Sequence, residues 1–171
     1  DLLQQAQTSL ARGELAEASA RIRRVQAADP GHVDLPDALA GLNRAAEQGR
    51  SRADAELRRG RLDEALEGYR AVLATMPDDE RAQRGIAAVA NAYAGRSQRY
   101  AGDFRFSDAE KELAEARRID ANAPGVAAAE QQVLTTTQMA NREVTAARQD
   151  ADRQIAEARQ LAQRAETVGV I

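Results

Sequence analysis

Ala11-Arg12-Gly13-Glu14-Leu15-Ala16-Glu17-Ala18 and Arg58-Arg59-Gly60-Arg61-Leu62-Asp63-Glu64-Ala65 are two copies of one pattern. The first runs on through Ile22 and Val25 to Pro30, the second through Tyr69 and Val72 to Pro77, with one offset of 47 residues throughout. Each residue type has a physical reason to recur. Glycine supplies the left-handed conformation that ends a helix without steric cost. Leu15, Ala18, Ile22 and Val25 then follow at one-face helical spacing, as do Leu62, Ala65, Tyr69 and Val72. Ala18 and Ala65 are small where two hairpin helices would come closest. Pro30 and Pro77 stop the helix by removing a donor and crowding the preceding turn.

A third copy is expected at Gly102-Asp103-Phe104-Arg105-Phe106-Ser107-Asp108-Ala109, leading through Leu113 and Ala116 to Asp120 and Pro124. Aligned on Gly102, its turn is two residues longer than the others, and Ala121 takes the place of the earlier prolines. Ser107-Asp108-Ala109-Glu110 reads as a capping box that starts this copy's helix. Tyr100, Phe104 and Phe106 are expected to plug the longer turn into the core.

Longer helices separate these units. Residues 37–59 place Leu39, Leu42, Ala46, Ala53 and Leu57 on one stripe, with a cap among residues 34–37 and a first-turn Pro36. Residues 79–101 do the same with Ile86, Val89, Ala90, Tyr93 and Tyr100. The prediction is an all-α chain. It is a helical-hairpin solenoid of about three repeats over residues 1–124, each burying its apolar face against its neighbours.

Composition agrees. Of 171 residues, 39 are Ala and 23 are Arg against the single Lys111, both good helix formers, whereas aromatics make up 3%. With no Cys there is no disulfide scaffold, zinc ribbon or thiol nucleophile. A net charge of −3, with acidic residues among most Arg clusters, argues against nucleic acid as the partner. No run approaches the ~20 apolar residues of a membrane span. The chain opens Asp1-Leu2-Leu3 with neither an initiator Met nor a signal peptide, so a fragment of a longer protein is expected.

The recurring constellation resembles the second-helix signature of tetratricopeptide repeats. It is carried by Gly13/Gly60, Leu15/Leu62, Ala18/Ala65, Ile22/Tyr69, Val25/Val72 and Pro30/Pro77, and by Phe106, Ala109, Leu113, Ala116 and Asp120 in the third copy. The resemblance implies a non-catalytic module that presents a concave surface to a protein or peptide segment. The departures are a spacing of 47 residues, longer than the family's repeat, and first helices without the family's large aromatics, so elongated first helices are expected. Ala- and Arg-rich repeats of this kind are similar in style to the non-catalytic regions of bacterial envelope proteins. Examples are eukaryotic-like Ser/Thr kinases and TonB-type energy transducers. That similarity implies a periplasmic sensor or scaffold region, with a cytoplasmic adaptor as the rival.

Residues 125–171 are expected to form a long C-terminal helix, single or softly broken at Thr135-Thr136-Thr137. Its seam is Ala140, Val144, Ala147, Ala151, Ile155, Ala158, Ala162 and Ala165, spaced by threes and fours. Two readings stand: a solvated helix that caps or links, and a helix through which copies associate.

No residue pattern supports chemistry, a cofactor or a metal. His32, the only histidine, lies in the Pro30-Gly31 turn without convergent ligands. Carboxylates such as Asp78, Asp79 and Glu80 fit helix first turns, where the dipole favours them. Candidate partner-binding residues are Asn43 and Asn91 within helices, and Tyr93, Arg96, Arg99 and Tyr100, because Tyr and Arg are common in binding hot spots. The remaining arginines are expected to form a solvated surface.

Overall fold

The computed structural model describes residues 1–169, and these form seven helices and no strand. They are α1 (Leu2–Ala11), α2 (Leu15–Ala28), α3 (Leu35–Arg58), α4 (Leu62–Thr75), α5 (Glu80–Gly102), α6 (Phe106–Asp120) and α7 (Pro124–Val168). The all-α expectation holds, and the helices pack in neighbouring pairs, as a helical repeat would. Residues 170–171 of the expected tail lie outside the described residues.

The recurring residues do local work of one kind. Gly13 and Gly60 adopt φ +78° and +75°. At the first turn Gly13 N donates to Leu10 O and Glu14 N to Ser9 O. At the second, Gly60 N donates to Leu57 O and Arg61 N to Glu56 O. These paired bonds satisfy carbonyls that the ends of α1 and α3 would otherwise leave orphaned. Ala18, Ala65 and Ala109 are each completely buried, as expected of close-approach positions. Asp29 and Met76, before the prolines, have left helical geometry at φ −143° and −131°.

The third turn corrects the sequence alignment. Gly102 is the last residue of α5, and the left-handed position is Phe104, at φ 59°. Phe104 N donates to Ala101 O and Arg105 N to Tyr100 O, the same bond pattern as at Gly13 and Gly60. The turn is therefore no longer than the others; the Gly60 to Phe104 spacing is simply 44 residues. A side chain in this conformation costs ~1–2 kcal/mol, so local preference favours glycine there. Nor does Phe104 plug into the core. It is 67% exposed and meets Phe106 edge-on, with centroids 6.2 Å apart. The capping box is also absent. Arg105 is the N-cap without a side-chain bond, and Ser107 lies inside α6.

The apolar interior falls into two clusters. Leu3, Ala6, Ala18, Ile22, Leu35, Ala38 and Leu42 form one, around the first hairpin and the start of α3. The other begins at Ala46 and runs through α4, α5 and α6 to Val133. Its centre is Tyr69, 1% exposed, whose ring rests on Gly85 of α5. A Cβ at Gly85 would lie 2.4 Å from Tyr69 Cε1, so the helices touch there because no side chain intervenes. Gly95, on the same helix, has nothing within 4 Å. Two alanine substitutions in α5 should therefore have opposite signs. Gly95→Ala gains helix propensity, by ~0.5–1 kcal/mol. Gly85→Ala gains the same but displaces a buried ring, for a net loss of ~1–2 kcal/mol. Urea unfolding of both variants checks this; equal shifts of one sign would refute the contact.

α7 is a single helix of 45 residues, about 67 Å long at ~1.5 Å per residue. The threonines do not break it; Thr136 and Thr137 hydroxyls donate to Gln132 O and Val133 O, both at 2.8 Å. First helices begin at Leu35, Glu80 and Pro124, so the base of α7 occupies the place of the next first helix. Val126, Ala129 and Val133 bury that base in the second cluster. From residue 141 to 169 every side chain is exposed.

Candidate functional site

The seam between the two core clusters opens at the surface as a groove of about 370 Å³. One wall is α2, with Ser19, Ile22 and Arg23; the other is α3, with Leu39, Leu42 and Asn43. Thr75 to Asp79, the turn from α4 into α5, close its end.

Its polar atoms are partly committed. Arg23 Nη2 donates to Thr75 O at 2.8 Å and Ser19 Oγ donates to the same oxygen at 3.3 Å, tying the first hairpin to the second. Asp79 Oδ1 accepts from Ala82 N at 2.9 Å as the N-cap of α5, and Oδ2 pairs with Arg50 of α3. The Arg50 and Asp79 side chains are only 15% and 9% exposed. Asn43, Gln26 and Asp78, in contrast, are exposed on the rim, and their side chains make no hydrogen bond among the described residues. The result is an apolar slot with an amide and a carboxylate at its lip. It carries no pair of groups poised for proton transfer or nucleophilic attack. Among the described residues no cluster of His, Cys, Asp and Glu could hold a metal ion. His32 Nδ1 accepts from Asp34 N at 3.2 Å, a turn contact.

The six residues singled out from sequence are not gathered on one surface. Asn43 lines the groove. Asn91 faces α7, where its Oδ1 accepts from Gly125 N at 2.7 Å and satisfies a first-turn amide. Tyr93 is 7% exposed and donates to Asp63 Oδ1 at 2.5 Å. Burial first, and the Asp63 bond second, push its phenol up to about 12. Tyr69, bonded to Asp54, is raised further by the same causes. Arg96 lies over the Tyr93 ring and donates to Gly60 O at 2.6 Å, pinning the second turn. Tyr100 is half-buried under the Arg105 guanidinium, 4.5 Å from its centroid, and Arg99 is exposed at the end of α5. Sequence reading missed Ile22, Arg23 and the 75–79 turn as a site. The available signal was Pro77-Asp78-Asp79, a helix stop followed directly by a cap.

A second unusual surface is the projecting part of α7. Val144, Ile155, Leu161 and Val168 are 51%, 50%, 64% and 72% exposed. No helix of the described residues is long and apolar enough to cross a membrane. No protein-family model, curated protein or solved structure matches this chain.

Proposed function

We propose that the chain is a non-catalytic protein-interaction or sensor module built from tetratricopeptide-like hairpins. The glycine-turn frame at residues 13 and 60, the buried alanines at 18, 65 and 109, and the neighbour-to-neighbour packing support the repeat reading. The groove between α2, α3 and the 75–79 turn carries the functional one. It is a preformed apolar slot with exposed Asn43 and Asp78 at its lip, suited to an apolar anchor residue of an extended peptide. The style of the Ala- and Arg-rich repeats supports placing the module in the periplasmic part of a bacterial envelope signalling or transducer protein.

The test is selection of binding peptides from a displayed random library on residues 1–171. Asn43→Arg and Asp78→Lys are exposed changes at the lip, and each should weaken the selected peptides at least tenfold, a loss of ~1.4 kcal/mol. Arg142→Glu, on the projecting arm, should leave them unchanged. Equal binding by all variants would remove the groove as the site.

A further inference from the structure

We propose that the projecting arm of α7 pairs antiparallel with the arm of a second copy of this chain. The stripe that Val126, Ala129 and Val133 bury against α5 and α6 does not stop where those helices stop. It continues through Thr137 and Ala140, both half-buried, to Val144, Ala147, Ala151, Ile155, Ala158, Ala162 and Ala165. The steps are threes and fours averaging close to the ~3.6 residues of a turn, so the stripe stays on one side of a straight helix. The arm thus presents to solvent the face that its own base uses for helix packing. Helices owe most of their stability to such packing, and here nothing among the described residues supplies it. Charge pairing along the arm is also sparse. Of its ten charged side chains between residues 142 and 166, Asp150 and Arg153 form the one ion pair among the described residues, at 3.7 Å.

Geometry selects the orientation. α5 and α6 sit on the stripe at its N-terminal end. A parallel second copy facing the same stripe would bring its own α5 and α6 to that end, into space already filled. An antiparallel copy places the two bodies at opposite ends. Charge selects the register. At ~100° per residue, Arg148, Asp152, Arg159 and Glu166 flank one edge of the stripe, and Glu143 and Asp150 the other. Antiparallel pairing sets like edges together, and with the two-fold axis level with residue 157 Arg148 faces Glu166 twice. The same register sets Ile155 against Ala158, Ala151 against Ala162 and Ala147 against Ala165 or its neighbour, mostly small against small, so the helix axes can approach closely. It also brings Gly169 of the second copy opposite Thr145, just beyond where α5 and α6 cease to cover the stripe.

This pairing stands apart from the groove, so either can fail alone. Light scattering on residues 1–171 should give twice the 18.4 kDa chain mass. A single-chain mass at the highest soluble concentration overturns the proposal. The chain has no Cys, so introduced thiols report the register. Arg148→Cys should cross-link to Glu166→Cys in a mixed sample with a short thiol-specific reagent. Glu166→Cys alone should not link to itself, because the two copies of residue 166 lie about 27 Å apart at ~1.5 Å per residue. Self-linking of Glu166→Cys would indicate a parallel pair and overturn the proposal. Ile155→Glu should weaken dimerisation at least tenfold while the helical circular dichroism of the body persists, and Arg142→Glu, on the far face, should not. An unchanged dimer in Ile155→Glu likewise overturns it.

Discussion

Tyr69→Ala is expected to cost about 3–5 kcal/mol of unfolding free energy, the range for removing a buried aromatic ring. Tyr69 is 1% exposed and occupies the position that Ile22 holds in the first repeat and Leu113 in the third. It is the largest fully buried side chain of the chain's described part. Two further losses accompany the cavity. Gly85 has no side chain with which to fill the void, because the ring lies against its backbone. Asp54 loses the phenol that donates to it. Tyr69→Phe keeps the ring and gives up the hydrogen bond alone, so it should cost ~1 kcal/mol. Urea titrations of the two variants separate packing from hydrogen bonding. If Tyr69→Phe costs as much as Tyr69→Ala, the Asp54 bond and not the ring is the main contribution. Because Gly85 and Tyr69 are in contact, their substitutions should not be additive. Gly85→Ala should cost markedly less in a Tyr69→Leu background, where the contested space is free.

How far the sequence revealed this arrangement depends on which residues carry it. Gly13, Gly60, Ala18, Ala65 and the two prolines each do one local job that any chain imposes on those residue types, so helix ends and close approaches could be placed. Phe104 could not, because a bulky residue at positive φ runs against local preference and holds that conformation only through the bonds around it. Fixing the turn on Gly102 then made the third repeat look longer than it is. The arginines failed for another reason. Most are exposed, as read, but Arg23, Arg50 and Arg96 bond backbone carbonyls or a carboxylate of another segment. A one-dimensional pattern of charge cannot distinguish a guanidinium in water from one reaching across a seam. The groove shares that difficulty, since its walls come from three separated segments and none of them is unusual alone.

The α7 arm was legible as a helix with a thin seam, while its relation to the body was not. Only the structure shows that the exposed stripe and the buried one are the same face. That continuity turns a composition of small apolar residues into an argument about what covers them.

Asp79→Ala is expected to cost about 3 kcal/mol, because one carboxylate serves two elements. Loss of its bond to Ala82 N removes the cap of α5, worth ~1 kcal/mol. Loss of its other oxygen leaves Arg50 charged, 15% exposed and without its partner; Arg50 Nε already lacks one. Removing one member of a buried pair is costly, about 3–5 kcal/mol when burial is complete. Arg50 retains some access to water, which sets the total nearer the lower figure. The site of damage matters as much as its size. The pair bridges α3 and the 75–79 turn, beside the seam where the two apolar clusters meet. Amide exchange in Asp79→Ala should therefore accelerate most in α1, α2 and the first turn of α5, and least where α5, α6 and α7 pack together. Arg50→Met combined with Asp79→Asn discriminates between charge and cap. It removes both charges, keeps an acceptor for Ala82 N, and should recover most of the loss, since an apolar replacement for a buried pair is often neutral. A double variant as unstable as Asp79→Ala would show instead that the ion pair itself holds α3 to the 75–79 turn.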